Sequence, residues 1–289
     1  PQALAAVARL VSLSPWACDY LARHPMLLDE LIDTRQLTVP DWPAVDAKLA
    51  ADLAEVDGEV EAQMDLLRHC KHTQTFRLLA LDLMGGLTVE TLSDHLSDLA
   101  CLLLRHSLAL TWARLPTRHR EAPSFAIIGY GKLGGKELGY ESDLDLIFLY
   151  DDEAPEASEN YARLAQRLNG SIGSHTAAGQ LYETDLRLRP DGASGLLVSR
   201  IESFETYQRG AAWPWEHQAL TRARFVAGDT ALGARFEALR HEILRLPRDI
   251  PALRAEVIAM RKKMRDGHPN ASGLFDVKHD PGGIVDVEF

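Results

Sequence analysis

The run Gly129-Tyr130-Gly131-Lys132-Leu133-Gly134-Gly135-Lys136-Glu137-Leu138-Gly139-Tyr140-Glu141-Ser142-Asp143-Leu144-Asp145-Leu146 joins a glycine-dense turn to two aspartates spaced i, i+2. Short apolar runs flank it, Phe125 to Ile128 before and Leu146 to Tyr150 after, each of a length suited to a buried strand. Glycines at such a turn let backbone N–H groups approach a phosphate closely. Side chains at i and i+2 of a strand point to one face, so Asp143 and Asp145, on a strand expected over Ser142 to Tyr150, converge beside the turn. Such a pair can hold two divalent cations about 3.5 to 4 Å apart, the arrangement that serves in-line phosphoryl displacement.

Two familiar phosphate motifs come close and fail. A Walker-type loop around Gly135-Lys136 would need Gly where Tyr130 stands and a hydroxyl residue where Glu137 stands. The dinucleotide fingerprint does match at Gly129, Gly131 and Gly134, and Asp151 lies at the end of the next strand where a ribose acceptor belongs. Lys136 to Glu141, interrupted by Gly139, is however too short for the crossover helix of a βαβ unit.

A third acid follows. Leu181 to Arg189 alternates strictly and reads as a third strand, with Glu183, Asp185, Arg187 and Arg189 on one face. Asp185 on that face is expected to complete a metal site and to sit near the incoming hydroxyl as a base, and Arg187 and Arg189 are suited to phosphate oxygens.

Outward from this centre the pattern is helical. Val45, Leu49, Leu53, Val56, Val60, Met64 and Leu67 form one helix face with Gly58 inside it. Gly85-Gly86 ends the next helix and Thr88 caps another. Prolines bracket the polar segment Pro116 to Pro123, a boundary between a helical region over 1–115 and a core over 120–200. The amphipathic helix of Tyr161, Leu164, Leu168 and Ile172 lies between the second and third strands. After Gly195 the pattern returns to helices through 201–289, with Asp229 a cap and Pro247 and Pro251 a break. The expected class is α+β, a small mixed sheet with helices on one side.

Composition bounds the rest. With 289 residues and 46% hydrophobic content the chain can bury a sizeable core, and at about 150 residues per domain it makes about two domains. A formal charge of −11 argues against tracking a nucleic-acid backbone. Three scattered cysteines fit a reducing compartment, so the cytoplasm is expected. No apolar run approaches the ~18 residues of a membrane span. The start at Pro1 without Met and the stop at Phe289 inside an apolar pattern read as a piece of a longer chain. His69, Cys70 and His72 share a helix without further ligands in view, Arg261, Lys262, Lys263 and Arg265 read as a solvated helix face, and Trp213 and Trp215 read as core.

Gly-Tyr-Gly-Lys-Leu-Gly-Gly at 129–135 with Ser-Asp-Leu-Asp-Leu at 142–146 resembles the nucleotidyltransferase domains of glutamine synthetase adenylyltransferases. The resemblance extends to Asp185–Gly192, similar to the family's third-carboxylate strand, to the helical segment Trp213–Arg224, and to a closing motif Phe275–Phe289. Ser14-Pro15, Leu21–Pro25 and Leu27–Leu31 resemble the family's start. The resemblance implies a DNA polymerase beta-like nucleotidyltransferase core, with Asp143, Asp145 and Asp185 holding two Mg2+ ions. It implies ATP as substrate, bound by Gly129, Gly131, Lys132, Gly134, Gly135, Ser142, Arg187 and Arg189. Members carry two similar halves, one adenylylating a tyrosine of glutamine synthetase and one removing the AMP by phosphorolysis. Trp-Pro-Trp-Glu-His-Gln-Ala-Leu and Gly-Gly-Ile-Val-Asp-Val-Glu-Phe are similar to the adenylylating half. Glutamine synthetase as protein substrate, and a PII-type signal protein and glutamine as regulators, are implied with it, as is a place near the site for Lys278, Asp286 and Glu288. One departure is Glu141, where the family has Ser. The adenylyl-removing half, a nucleotidyltransferase of small molecules, a silent binding module and a dinucleotide oxidoreductase stand as rival readings.

Overall fold

Helix ends follow local chemistry in the computed structural model, which describes residues 2–31 and 38–288. Phe289, the last residue of the closing motif, lies outside the described residues, as do Pro1 and residues 32–37. The chain opens with α1 (Gln2–Leu13) and α2 (Pro15–Arg23), the latter capped by the Ser14 hydroxyl. A 3₁₀ turn and α3 (Trp42–Glu55), capped by Asp41, follow. The single face read from Val45 to Leu67 is divided here. Gly58 adopts φ +85°, a left-handed conformation that cannot continue a helix, and α4 (Val60–Leu83) starts afresh beyond it. Gly85 at φ +76° and the Thr88 cap separate α4 from α5 (Val89–Ala113), as the sequence indicates.

The sheet begins with β1 (Phe125–Gly129), then α6 (Gly131–Gly134), one short turn of helix, and β2 (Leu144–Tyr150). β1 and β2 pair antiparallel, Phe125 opposite Tyr150 and Gly129 opposite Leu146. After α7 (Ala157–Gly173) a small hairpin, β3 (His175–Thr176) and β4 (Gly179–Gln180), leads to β5 (Thr184–Asp185) and β6 (Val198–Arg200), both parallel to β2. α8 (Ile201–Gly210) and α9 (Pro214–Leu220) precede β7 (Arg224–Gly228), which pairs antiparallel with β1. The chain ends through α10 (Thr230–Leu244), capped by Asp229, α11 (Ile250–Gly267) and α12 (Ile284–Glu288).

The sheet corrects three expectations. Only Thr184 and Asp185 of the third strand pair with β2. Leu181 and Tyr182 are both buried, which ends the alternation, and the Arg189 N–H turns back to the Leu186 carbonyl just before Pro190, which has no N–H to donate. β6 and β7 lie where helices alone are read after Gly195. Helices cover both faces of the sheet, not one. Phe125, Ile127, Leu146 and Phe148 pack in one cluster with α5 and α7, while Ala126, Ile128, Ile147 and Leu149 pack in another with α8 and α10. Burial on both faces makes the central strands continuous apolar runs. Leu49, Leu53, Leu67 and Leu78 of α3 and α4 belong to the same cluster as α5 and the sheet, so one core joins them.

Arg68 on α4 is fully buried and donates to the carbonyls of Met64, Ser171, Ser174 and Gly179. It binds α4 to the end of α7 and to the β3–β4 hairpin, with every contact a carbonyl that compensates the buried charge. The cysteines are free thiols. Among the described residues no helix is long and apolar enough to cross a membrane.

Candidate active site

The turn after β1 and the acids of β2 are in contact. Gly131 has φ +52°, and a β-carbon on it would stand 2.3 Å from Asp145 Oδ2, so only glycine brings the turn this close to the carboxylate. The Tyr130 N–H donates to the Asp145 carbonyl at 2.8 Å and fastens turn to strand. Gly134 serves packing instead, since a β-carbon there would stand 1.9 Å from the Arg222 carbonyl oxygen. Gly129 lies against Val226 and Leu133, and Gly135 against Glu137. The expected cradle is therefore two features: Gly131 meets the acids, and Gly129 and Gly134 lock α6 onto the sheet.

Asp145 and Asp185 are partners in the parallel register of β2 and β5. Asp143 stands exposed one residue before β2. Burial, then repulsion from Asp143 and Asp185, pushes Asp145 up to about 6. Asp185 shifts the other way. Arg187 holds its carboxyl below the usual range, with Nε 3.0 and 2.8 Å from the two carboxylate oxygens, Nη2 on Oδ2, and the Arg187 N–H on Oδ1 at 2.8 Å.

Other expected residues are engaged elsewhere. The Arg189 guanidinium donates to the carbonyls of Leu186, Ala193 and Gly195 and shapes its own loop. Ser142 Oγ accepts the Gly139 N–H at 2.9 Å and closes the turn before Asp143. Lys132 is exposed on α6. The Glu141 carboxylate accepts Trp16 Nε1–H at 2.8 Å. His72 is buried and uses both ring nitrogens, on Tyr20 Oη and the Ala178 carbonyl.

A cleft of about 550 Å³ opens beside Gly131, walled by Leu188, Trp215, Arg222, Met260, Lys263 and Glu288. Arg222 pairs with Glu137 and with Glu288, whose backbone carbonyl accepts from Gln218 Nε2. Glu288 is thus at the site, while Asp286 pairs with Arg261 and Lys278 is exposed. The basic face of α11 is divided: Arg261 meets Asp286, Lys262 meets Asp266, and Lys263 lines the cleft. Trp213 is 65% exposed, which overturns its reading as core. Sequence reasoning missed Arg222 as a site residue, although it lies inside the Trp213–Arg224 motif.

The acids fit a hard divalent cation. Their donors are carboxylate oxygens, and a cation offsets the burial and the mutual repulsion that raise Asp145. Among the described residues no three acidic, His or Cys side chains are gathered as they stand, and Arg187 covers Asp185.

A glycine turn set against carboxylates, on a small mixed sheet between helical layers, is the form of an α+β nucleotidyltransferase core. The sequence signature described as glutamate-ammonia ligase adenylyltransferase matches residues 4–239, and the chain belongs to that family. It is 61% identical over 290 residues to a bifunctional glutamine synthetase adenylyltransferase/adenylyl-removing enzyme of Aromatoleum aromaticum, covering 100% of this chain and 31% of that protein. Proteins of the same description from Chromobacterium violaceum and Nitrosomonas eutropha are 59% and 58% identical, each again over 100% of this chain and 32% of theirs. The chain spans about a third of the length of these relatives.

Proposed function

We propose that this chain is the adenylylating half of such an enzyme, moving AMP from ATP to a tyrosine hydroxyl of glutamine synthetase and releasing pyrophosphate. The observation that carries the reading is the contact of Gly131 with Asp145, with Asp185 as its register partner and Asp143 two residues before it. Asp143, Asp145 and Asp185 are the residues that would hold Mg2+. Bound there, the cation neutralises phosphate charge and supports in-line displacement at the α-phosphorus.

The chain's own groups do the remainder. The turn at Gly131 and the exposed Lys132 receive the triphosphate, beside the Ser142 turn that sets Asp143. Arg187 is in reach of phosphate oxygens because its side chain is largely exposed around the Asp185 pair. A phenol with a pKa of about 10 is a poor nucleophile while protonated. Asp185 is the carboxylate that takes this proton, and its basicity rises when Arg187 exchanges it for phosphate. Arg189 keeps the Leu186–Gly195 loop in shape below Arg187. Positioning and charge neutralisation supply the catalysis.

The test is Asp143→Asn in full-length protein, with labelled ATP and unmodified glutamine synthetase. Transfer is expected to fall by roughly 100-fold or more, while the circular dichroism spectrum is unchanged because Asp143 is exposed. Near-normal labelling with unchanged release of AMP from modified glutamine synthetase in phosphate would refute the acid assignment. Near-normal labelling with that release lost would assign the chain to the opposite half.

A further inference from the structure

We propose that the groove between α9 and α11 is the site of the adenine base of ATP. The inference rests on nucleotide transfer at Asp143 and Asp145 and adds the part of the substrate that those acids do not touch. The cleft at Gly131 continues along this helix pair: Trp215, Gln218, Met260 and Lys263 line both it and a second hollow of about 330 Å³ that runs on to Trp213 and Glu256. The seven residues of α9 span about 10 Å at roughly 1.5 Å per residue, a reach comparable with that of a nucleoside from its α-phosphate.

The lining has the chemistry of a base site. Trp213 leaves 65% of its surface exposed and Trp215 is half-buried, so two indoles flank a groove that the protein's own packing does not fill. A base stacks on such faces, and the polarisable Met260 thioether suits its other side. Gln218 has its amide N–H on the Glu288 carbonyl, which leaves its oxygen as an acceptor, and Glu256 supplies carboxylate acceptors. Both match an exocyclic amino group, the donor that adenine carries. At the junction of the two hollows stands Lys263, which among the described residues has no carboxylate partner although its neighbours Arg261 and Lys262 do. A compact cation there faces the phosphate end of the nucleotide.

The test compares binding of Mg·ATP and of Mg·tripolyphosphate, which lacks the base, by calorimetry on the full-length protein. Trp215→Leu is expected to weaken ATP about tenfold, the size of one base–aromatic stack, and to leave tripolyphosphate unchanged. Trp215→Phe is expected to restore ATP binding. Trp213→Leu repeats the comparison at an exposed indole, where packing is not disturbed, and decides the matter if Trp215→Leu does not fold. Unchanged ATP affinity in the folded Leu variants overturns the proposal, as does equal weakening of both ligands. A raised KM for glutamine synthetase with normal ATP binding also overturns it, and gives the groove to the protein substrate. If the unmodified protein binds neither ligand, nucleotide transfer itself falls, and the base site with it.

Discussion

Asp145 of β2 and Asp185 of β5 oppose one another across a parallel strand pair, two acids on one face. Burial and the neighbouring carboxylates push Asp145 up to about 6, whereas Arg187 holds Asp185 low. A carboxyl raised in the folded state contributes stability that is full below its unfolded pKa and is lost as pH rises through about 6. Without divalent cation, Asp145→Asn is therefore expected to melt higher than the unmodified protein at neutral pH, and the two to melt alike below about pH 4. The gap is a few degrees at most, since 1 kcal/mol is worth about 2–4 °C in a domain of this size and solvent screens part of the repulsion. Mg2+ should reverse the order by stabilising only the unmodified protein. Thermal scans over pH and Mg2+ concentration check this, and identical melting at neutral pH would mean that neither burial nor the neighbouring carboxylates disfavour the ionised Asp145.

Gly131→Ala probes the same contact from the turn. A left-handed φ of +52° penalises alanine by about 1–2 kcal/mol. Its β-carbon would displace the Asp145 carboxylate, and a misplacement near 1 Å can cost about 100-fold in rate. Activity is thus expected to fall far more than stability. Gly134→Ala differs because its β-carbon meets a backbone carbonyl that cannot rotate away, so stability falls first. Urea midpoints and AMP incorporation measured side by side separate the two, and parallel losses in Gly131→Ala would deny it a role at the acids.

What was legible in the sequence was local. The turn, β1, β2 and the i, i+2 aspartates lie within 26 consecutive residues, from Phe125 to Tyr150, although the strand expected from Ser142 begins at Leu144, so that Asp145 is on β2 and Asp143 just before it. β7 was not legible because four half-buried residues and the buried Ala227 show no period, and its place beside β1 is a long-range pairing. β5 keeps only two ladder residues, so the alternation that marks it extends past the strand itself. Arg222 and Glu288 meet across 66 residues, and no local pattern encodes that. Trp213 has the composition of core but opens α9 at the surface, where tertiary context overrides hydrophobicity.

Glu141, which stands where the resemblance implies Ser, accepts the Trp16 indole N–H. Glu141→Ser is accordingly expected to leave the Mg2+ dependence of transfer unchanged. It should lower stability by about 1 kcal/mol through loss of the indole hydrogen bond. Trp16→Phe, which keeps the ring near Tyr20 and Tyr140, should match that loss. A shifted Mg2+ requirement in Glu141→Ser would place its carboxylate among the ligands after all.

Asp152 ties the segment between Pro116 and Pro123 to the core. Its carboxylate accepts from His119 Nε2 at 2.9 Å, Arg120 Nη1 at 3.0 Å, Tyr161 Oη at 2.9 Å and the Ala154 N–H at 3.0 Å. Burial raises its pKa, but the hydrogen bonds from Ala154, His119, Arg120 and Tyr161 outweigh this and hold it well below the usual carboxylate range. A depressed carboxyl contributes stability that is full above its unfolded pKa near 3.8 and is lost as pH falls from there. Asp152→Asn removes the charge from a nearly enclosed set of donors and is expected to cost about 3 kcal/mol near neutral pH. That gap should narrow at about pH 3, because the unmodified protein is then losing the same contribution. Urea midpoints at the two pH values test it, and a gap that stays constant would show that shape, not charge, is what Asp152 supplies. Tyr161 Oη also accepts the Ser124 N–H, one residue before β1, so a loosened Asp152 reaches the strand that ends at Gly129.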